Sequence, residues 1–110
     1  MDKKDINKMM AVFKALSSPK RVRILWRLMQ RPIWGGALCK EVRQTRTGLH
    51  RNLDILKKAG LVRGERQGQR VYYGLAPDAI KNCQEALSCL FSQQTTPKAA
   101  GRQGRRGRRR

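Results

Sequence analysis

Between Thr45 and Leu75, the segment TRTGLHRNLDILKKAGLVRGERQGQRVYYGL changes its hydrophobic period from about 3.6 to 2 in mid-course. Leu49, Leu53 and Leu56 recur at helical spacing, Lys57 and Lys58 bring positive charge to the last turn, and Gly60 supplies a residue that ends a helix. From Leu61 the pattern alternates. Leu61 to Arg66 and Arg70 to Leu75 flank Gln67-Gly68-Gln69, with Val71, Tyr73 and Leu75 on one face and Tyr72 and Gly74 on the other. A basic helix that runs straight into a short hairpin is compatible with few architectures, and the residues around it reduce the choice further.

Upstream, Ile6, Met9, Met10, Phe13 and Leu16 repeat at three- and four-residue spacing, which predicts an amphipathic first helix stopped by Ser17-Ser18-Pro19. Ser18 is placed to cap a second helix, with Pro19 at its first position, where a missing N–H costs nothing. Val22, Leu25, Leu28 and Met29 form the expected buried face of that helix, which runs to Gln30. Pro32 and Gly35-Gly36 break the pattern, and Leu38 and Val42 then share one face of a short third helix from Ala37 to Arg43. A tight turn at Gln44 and Thr45 follows, with Thr45 as N-cap of the fourth helix. Pro77 opens a fifth helix. Its stripe of Ile80, Cys83, Leu87, Leu90 and Phe91 is more apolar surface than one small domain covers, so a partner subunit is the expected cover.

Three helices, a turn, a helix and a hairpin make a mainly α fold of five helices with a two-stranded wing, the winged helix-turn-helix. In that arrangement the third helix crosses the DNA backbone, the fourth enters the major groove, and the hairpin reaches an adjacent phosphate or the minor groove. With the three leucines turned inward, Arg46, Thr47, His50 and Arg51 face outward, with Asp54 and Lys57 further along and Thr45 at the entry of the helix. Arg donates bidentately to guanine, so Arg46 and Arg51 are the leading base-contact candidates, while Thr47 and His50 each offer a single hydrogen bond. Arg63, Arg66, Gln69 and Arg70 on the hairpin suit phosphate contacts, which position a protein without reading sequence. Each of these has an ordinary alternative: a solvated helix face for Arg46 and Arg51, and a polar surface residue for His50. Tyr72 and Tyr73 read as hairpin packing, and Trp26 and Trp34 as core or dimer-interface residues.

A chain of 110 residues is one small domain, and 26 Lys and Arg against 7 Asp and Glu give a formal charge of +19. Double-stranded nucleic acid is the default partner. No apolar run reaches the roughly 18 to 20 residues of a membrane span, the N-terminal MDKKDINKMM has no signal-peptide core, and the expected location is the cytoplasm. From Pro97 the tail PKAAGRQGRRGRRR carries seven basic residues and no acid, and is expected to be a disordered arm that binds phosphate non-specifically. The domain expected to fold, residues 1–96, keeps 19 basic residues against 7 acidic ones, a net +12.

Three stretches together resemble the ArsR-like (SmtB/ArsR-type) winged-helix transcriptional regulators: FKALSSPKRVRILWRLM over the first two helices, TGLHRNLDILKKAGLV over the fourth, and RGERQGQRVYYGLAPDAI over the wing and the start of the fifth. They cover most of Phe13 to Ile80. The resemblance implies a homodimer built from helices 1 and 5, a palindromic operator, and repression relieved by an effector, here unknown. It also marks departures. Sensors of arsenic or soft metals in this family carry a Cys-x-Cys box at the start of the third helix, and the corresponding positions here are Trp34 and Gly36. The fifth helix, PDAIKNCQEALSCLF, has no histidine, and the one histidine of the chain is His50. No metal or other cofactor is therefore expected. Gly48, inside the first turns of a helix, costs about 1 kcal/mol relative to Ala.

Cysteines are the remaining route to a switch. Cys83 and Cys89 fall on different faces of the fifth helix and cannot bond to each other within it, so redox sensing would need Cys39 with one of them, or a link across a dimer. Cys83 also reads as a small buried hydrophobe, and Cys39 and Cys89 are the possible redox pair. Three function classes compete: a sequence-specific dimeric repressor, an architectural or RNA-binding basic protein, and an enzyme. The last is disfavoured by the lack of paired carboxylates and of a Gly-rich phosphate loop.

Overall fold

The structure, a computed structural model, describes residues 2–92. The expected arm from Pro97 lies outside the described residues. In chain order the elements are α1 (Lys3–Leu16), α2 (Pro19–Leu28), β1 (Ile33–Trp34), α3 (Gly35–Val42), α4 (Arg46–Lys58), β2 (Val62–Gln67), β3 (Arg70–Leu75) and α5 (Ala79–Leu90).

Local chemistry sets most of these boundaries. The Asp2 carboxylate accepts from the Asp5 N–H at 2.9 Å and starts α1. The Ser18 hydroxyl accepts from the Arg21 N–H and Pro19 occupies the first turn of α2. Thr45 Oγ1 accepts from the Gly48 N–H at 3.1 Å and starts α4. A Cβ on Gly48 would lie 3.0 Å from that oxygen, so the glycine leaves room for the cap. Gly60 follows α4 at φ +76, and Gly68 takes φ +65 at the hairpin tip, both in the left-handed region that glycine enters without a Cβ penalty. Arg43 adopts the same region at φ 56 to close α3, a costlier choice for a residue with a side chain. The α5 start differs from expectation: Ala79 rather than Pro77 opens it, behind Asp78, which makes no side-chain cap.

The hairpin of β2 and β3 is joined by a third strand that the hydrophobic pattern did not announce. The short β1 pairs antiparallel with β3, Ile33 opposite Tyr73 and Trp34 opposite Tyr72, so the sheet order is β1-β3-β2. Pairing starts before α3, which moves the start of that helix from Ala37 to Gly35. The wing is thereby fastened to the helix-turn-helix through backbone bonds as well as through β3 packing.

Leu49, Leu53 and Leu56 of α4 are at most 1% exposed, as their spacing requires, and meet Leu38 and Val42 of α3 and Ile24 of α2 in one core with Leu61 and Tyr73. Two helix faces differ from the expectation. In α2 the inward residues are Ile24 and Leu28, with Leu25 half-buried, whereas Val22, Trp26 and Met29 are exposed. In α1 they are Met9, Val12 and Ala15, whereas Ile6, Met10 and Leu16 are exposed. The physical reason is close packing: α1 lies against α5, and the small residues Ala15 and, on α5, Ala79 and Ala86 are buried. Several larger side chains of both helices are left on the outside, with Ile80, Leu87 and Leu90 exposed on α5 and Phe91 exposed just after it. Trp26, at 70% exposure, is no core residue.

Candidate nucleic-acid interface

A polar chain fixes α4 from behind. The Arg21 guanidinium donates to the Ala15 carbonyl at 3.0 Å, the Lys14 carbonyl at 2.8 Å and Asn52 Oδ1 at 3.2 Å. Asn52 Nδ2 in turn donates to Gln44 Oε1 at 3.1 Å, and Gln44 Nε2 to the Lys20 carbonyl at 3.1 Å. The end of α1, the start of α2, the turn and the middle of α4 are thus tied by directional bonds, which add to the leucine packing in holding α4. On the far side of α2, Arg27 donates to the Glu41 carboxylate and, at 3.2 Å, to the Arg31 carbonyl, joining α2 to α3. At the other end of α4, Asn82 donates to the Gly60 carbonyl at 2.7 Å and joins α5 to the turn before the wing.

With that orientation, Arg46, Thr47, His50 and Arg51 are all exposed on α4, and Lys57 with them. Thr45 is exposed as well, but its oxygen serves the helix cap. On the wing, every residue from Arg63 to Arg70 is exposed, including Arg66 and Gln69. The acids on these elements are Asp54 and Glu65, so the surface is strongly cationic. Two of the expected contact residues have protein partners. The Lys57 ammonium lies 5.8 Å from the centre of the Tyr73 ring, and the Arg70 guanidinium lies 4.1 Å from the centre of the Trp34 ring.

Between the first turns of α4 and the wing lies a cleft of about 230 Å³. Arg46 and His50 line it from α4, Gln69 and Arg70 from the hairpin, and Trp34, Cys39 and Tyr73 from the floor. Helix and hairpin residues singled out separately in the sequence therefore share one concavity. Arg51, Arg63 and Arg66 lie outside it. Tyr73 is buried, and its phenol is held above its ordinary pKa by that burial first and then by Asp54 and Cys39. Sequence reasoning missed Trp34 as a member of this site and missed Arg21, Gln44 and Asn52 as its support. A polar residue beside an inward leucine, such as Asn52 before Leu53, was the available signal for the latter.

The three cysteines are half-buried and reduced. All three pack against the core: Cys39 on α3 floors the cleft, whereas Cys83 and Cys89 lie on α5. Burial pushes the Cys83 thiol above its ordinary pKa. Among the described residues no three His, Cys, Asp or Glu side chains cluster in a way that would hold a metal ion, and no helix is long and apolar enough to cross a membrane.

A helix-turn-helix with a fastened β wing and a cationic outer face defines the class of winged helix-turn-helix transcriptional regulators. No family model matches the chain. It is 34% identical over 71 residues to the transcriptional repressor SdpR of Bacillus subtilis, covering 64% of this chain and 79% of that protein. It is 32% identical over 81 residues to the nodulation protein NolR of Rhizobium meliloti, where the match spans 74% of this chain and 66% of NolR. A solution structure of a homodimeric winged helix-turn-helix DNA-binding domain from Mycobacterium bovis, described as a possible ArsR-family regulator, superposes with a TM-score of 0.65 at 29% identity, covering 81% of this chain and 82% of that one. The chain belongs to the ArsR-like winged-helix transcriptional regulators.

Proposed function

We propose that this protein is a homodimeric, sequence-specific binder of double-stranded DNA that represses transcription from a palindromic operator. The observation that carries this reading is the shared orientation of Arg46, His50 and Arg51 on α4, held by the Arg21-Asn52-Gln44 chain and flanked by the cationic wing. In the groove, Arg46 and Arg51 read base edges and Thr47 and His50 add single hydrogen bonds, while Arg63, Arg66, Gln69 and Arg70 hold phosphates. Thr45 and Lys57 bound the contact at the two ends of α4.

The dimer forms through α1 and α5. Their outer faces expose Ile6, Met10, Ile80, Leu87, Leu90 and Phe91, an amount of large apolar surface that a second copy covers most economically, because a two-fold interface uses the same patch twice. The homodimeric neighbour from Mycobacterium bovis supports a dimer, though not by itself this pairing of helices. Residues 97–110 add non-specific phosphate affinity, the protein acts in the cytoplasm, and the function involves no catalysis. With Trp34 and Gly36 at the metal-box positions and α5 lacking histidine, the site binds operator without a metal ion; Cys39 and Cys89 are the residues through which oxidation would act.

A footprint of the full chain on the region upstream of its own gene tests this. Two protected half-sites about one helical turn apart are expected, and Arg51→Ala is expected to weaken binding there by about 1 to 3 kcal/mol while relaxing one base position. Removal of residues 97–110 is expected to shallow the salt dependence and leave the preferred sequence unchanged. Equal affinity for operator, bulk duplex and RNA would replace this reading with that of an architectural or RNA-binding protein.

A further inference from the structure

The start of α3 holds an aromatic side chain in an unusual sandwich. Trp34 is the last residue of β1 and lies opposite Tyr72 on β3. Arg70 stands two residues from Tyr72, so it projects from the same face of β3 and is the diagonal neighbour of Trp34. That relation brings its guanidinium to 4.1 Å from the centre of the indole ring. The other boundary of the ring is Gly36. A Cβ there would come within 2.4 Å of one indole carbon and 2.5 Å of another, so the six-membered ring occupies the space that any other residue's side chain would need. The Gly36 backbone and the Arg70 cation both abut the indole, and all three residues belong to the cleft that Arg46 and His50 line.

Without such a platform, an arginine beside a hairpin tip samples many rotamers and loses side-chain entropy on binding an anion. Stacking removes part of that freedom beforehand and leaves the N–H groups at the guanidinium edge free to donate, because a cation on a ring face uses its own face and not its edge.

Resting on the duplex-binding reading above, we propose that Trp34 is a positioning residue for DNA recognition: seated on Gly36, it presents the Arg70 guanidinium to one backbone phosphate at the mouth of the cleft, while Arg46 across the cleft stays free for base edges. Trp34 acts through Arg70 and makes no contact with base edges. The wing arginine is therefore oriented before DNA arrives.

The test uses the full-length chain and a duplex bound by the wild type, titrated over a range of salt concentrations. Arg70→Ala is expected to reduce the magnitude of the log-log salt slope by about 1.8 for the dimer, the loss of one phosphate contact in each protomer. Trp34→Ala is expected to reproduce both that slope and the affinity loss, and the double substitution to add nothing further. Trp34→Phe, which keeps a ring, should retain most of the wild-type slope, and Gly36→Ala, which displaces the indole without removing it, should lose it. A DNA-free measurement stands beside these. In a Trp26→Phe background, Trp34 fluorescence is expected to become more accessible to acrylamide on Arg70→Ala. Additive losses in the double variant, or an unchanged salt slope in folded Trp34→Ala and Gly36→Ala proteins, would overturn the assignment while leaving DNA binding intact. A wild-type chain that binds no duplex would remove both readings.

Discussion

The chain Arg21-Asn52-Gln44 offers the sharpest test of how α4 is oriented. Truncating Arg21 to Met keeps the length of the aliphatic stem and removes three donated bonds. The bond to the Lys14 carbonyl lies at the surface, where water replaces it at little cost, whereas those to Ala15 and Asn52 are partly buried. At about 1 kcal/mol for each of those two, Arg21→Met is expected to destabilise the protein by about 2 kcal/mol, which for a domain of this size is a fall in Tm of roughly 8 to 16 °C. Asn52→Ala breaks the links to Arg21 and Gln44 and is expected to cost a similar amount. Because the two share one bond, the double variant should be less destabilised than the sum of the singles by about 0.5 to 1.5 kcal/mol. Urea unfolding followed by circular dichroism measures all four proteins. Strict additivity, or an Arg21→Met protein within about 0.5 kcal/mol of wild type, would show that leucine packing alone sets the orientation of α4.

Leu53→Ala is expected to cost about 2 to 5 kcal/mol, since its side chain is 1% exposed at the centre of the core, and chemical denaturation reads the loss. Gly60→Ala combines a positive φ with a Cβ that would lie 2.5 Å from Asn82 Nδ2, so it is expected to destabilise by more than about 1 kcal/mol and to abolish the bond from Asn82 to the Gly60 carbonyl; thermal melts of G60A and of N82A compare the two contributions. For Cys83, whose folded pKa is raised by burial, the stability contribution is full below the pKa of the unfolded thiol and declines as pH rises from there through the folded value. Alkylation by iodoacetamide should accordingly set in at higher pH for Cys83 than for a free cysteine, and a profile matching the free thiol would contradict its burial.

Much of this fold is legible in the residue pattern because local and global preferences agree there. Leu49, Leu53 and Leu56, the Thr45 cap and the Gly60 stop each specify α4 independently, and the hairpin follows from period-two alternation around Gly68. Strand β1 was not legible, since two residues carry no periodicity and their pairing with β3 is a tertiary event. The faces of α1 and α2 were misread for a related reason. Size favours Ile6 and Met10 on α1 and Val22 and Met29 on α2, but the faces turned inward carry Met9, Val12 and Ala15 on α1 and Ile24 and Leu28 on α2, and which of two apolar stripes is buried is set by the neighbouring helices. Within the site, the outward arginines were recoverable by helical geometry from their leucine neighbours. The pairing of Arg70 with Trp34 was not, because it arises from a diagonal strand relation 36 residues apart in sequence.

At the hairpin tip, nothing lies within 4 Å of where a Cβ on Gly68 would stand. The constraint at that residue is one of backbone torsion and not of crowding. Descendants of this chain are consequently free to lengthen or shorten the tip without disturbing the interior, because a longer loop adds little closure entropy. The length of the tip is thus decoupled from the packing of the domain beneath it.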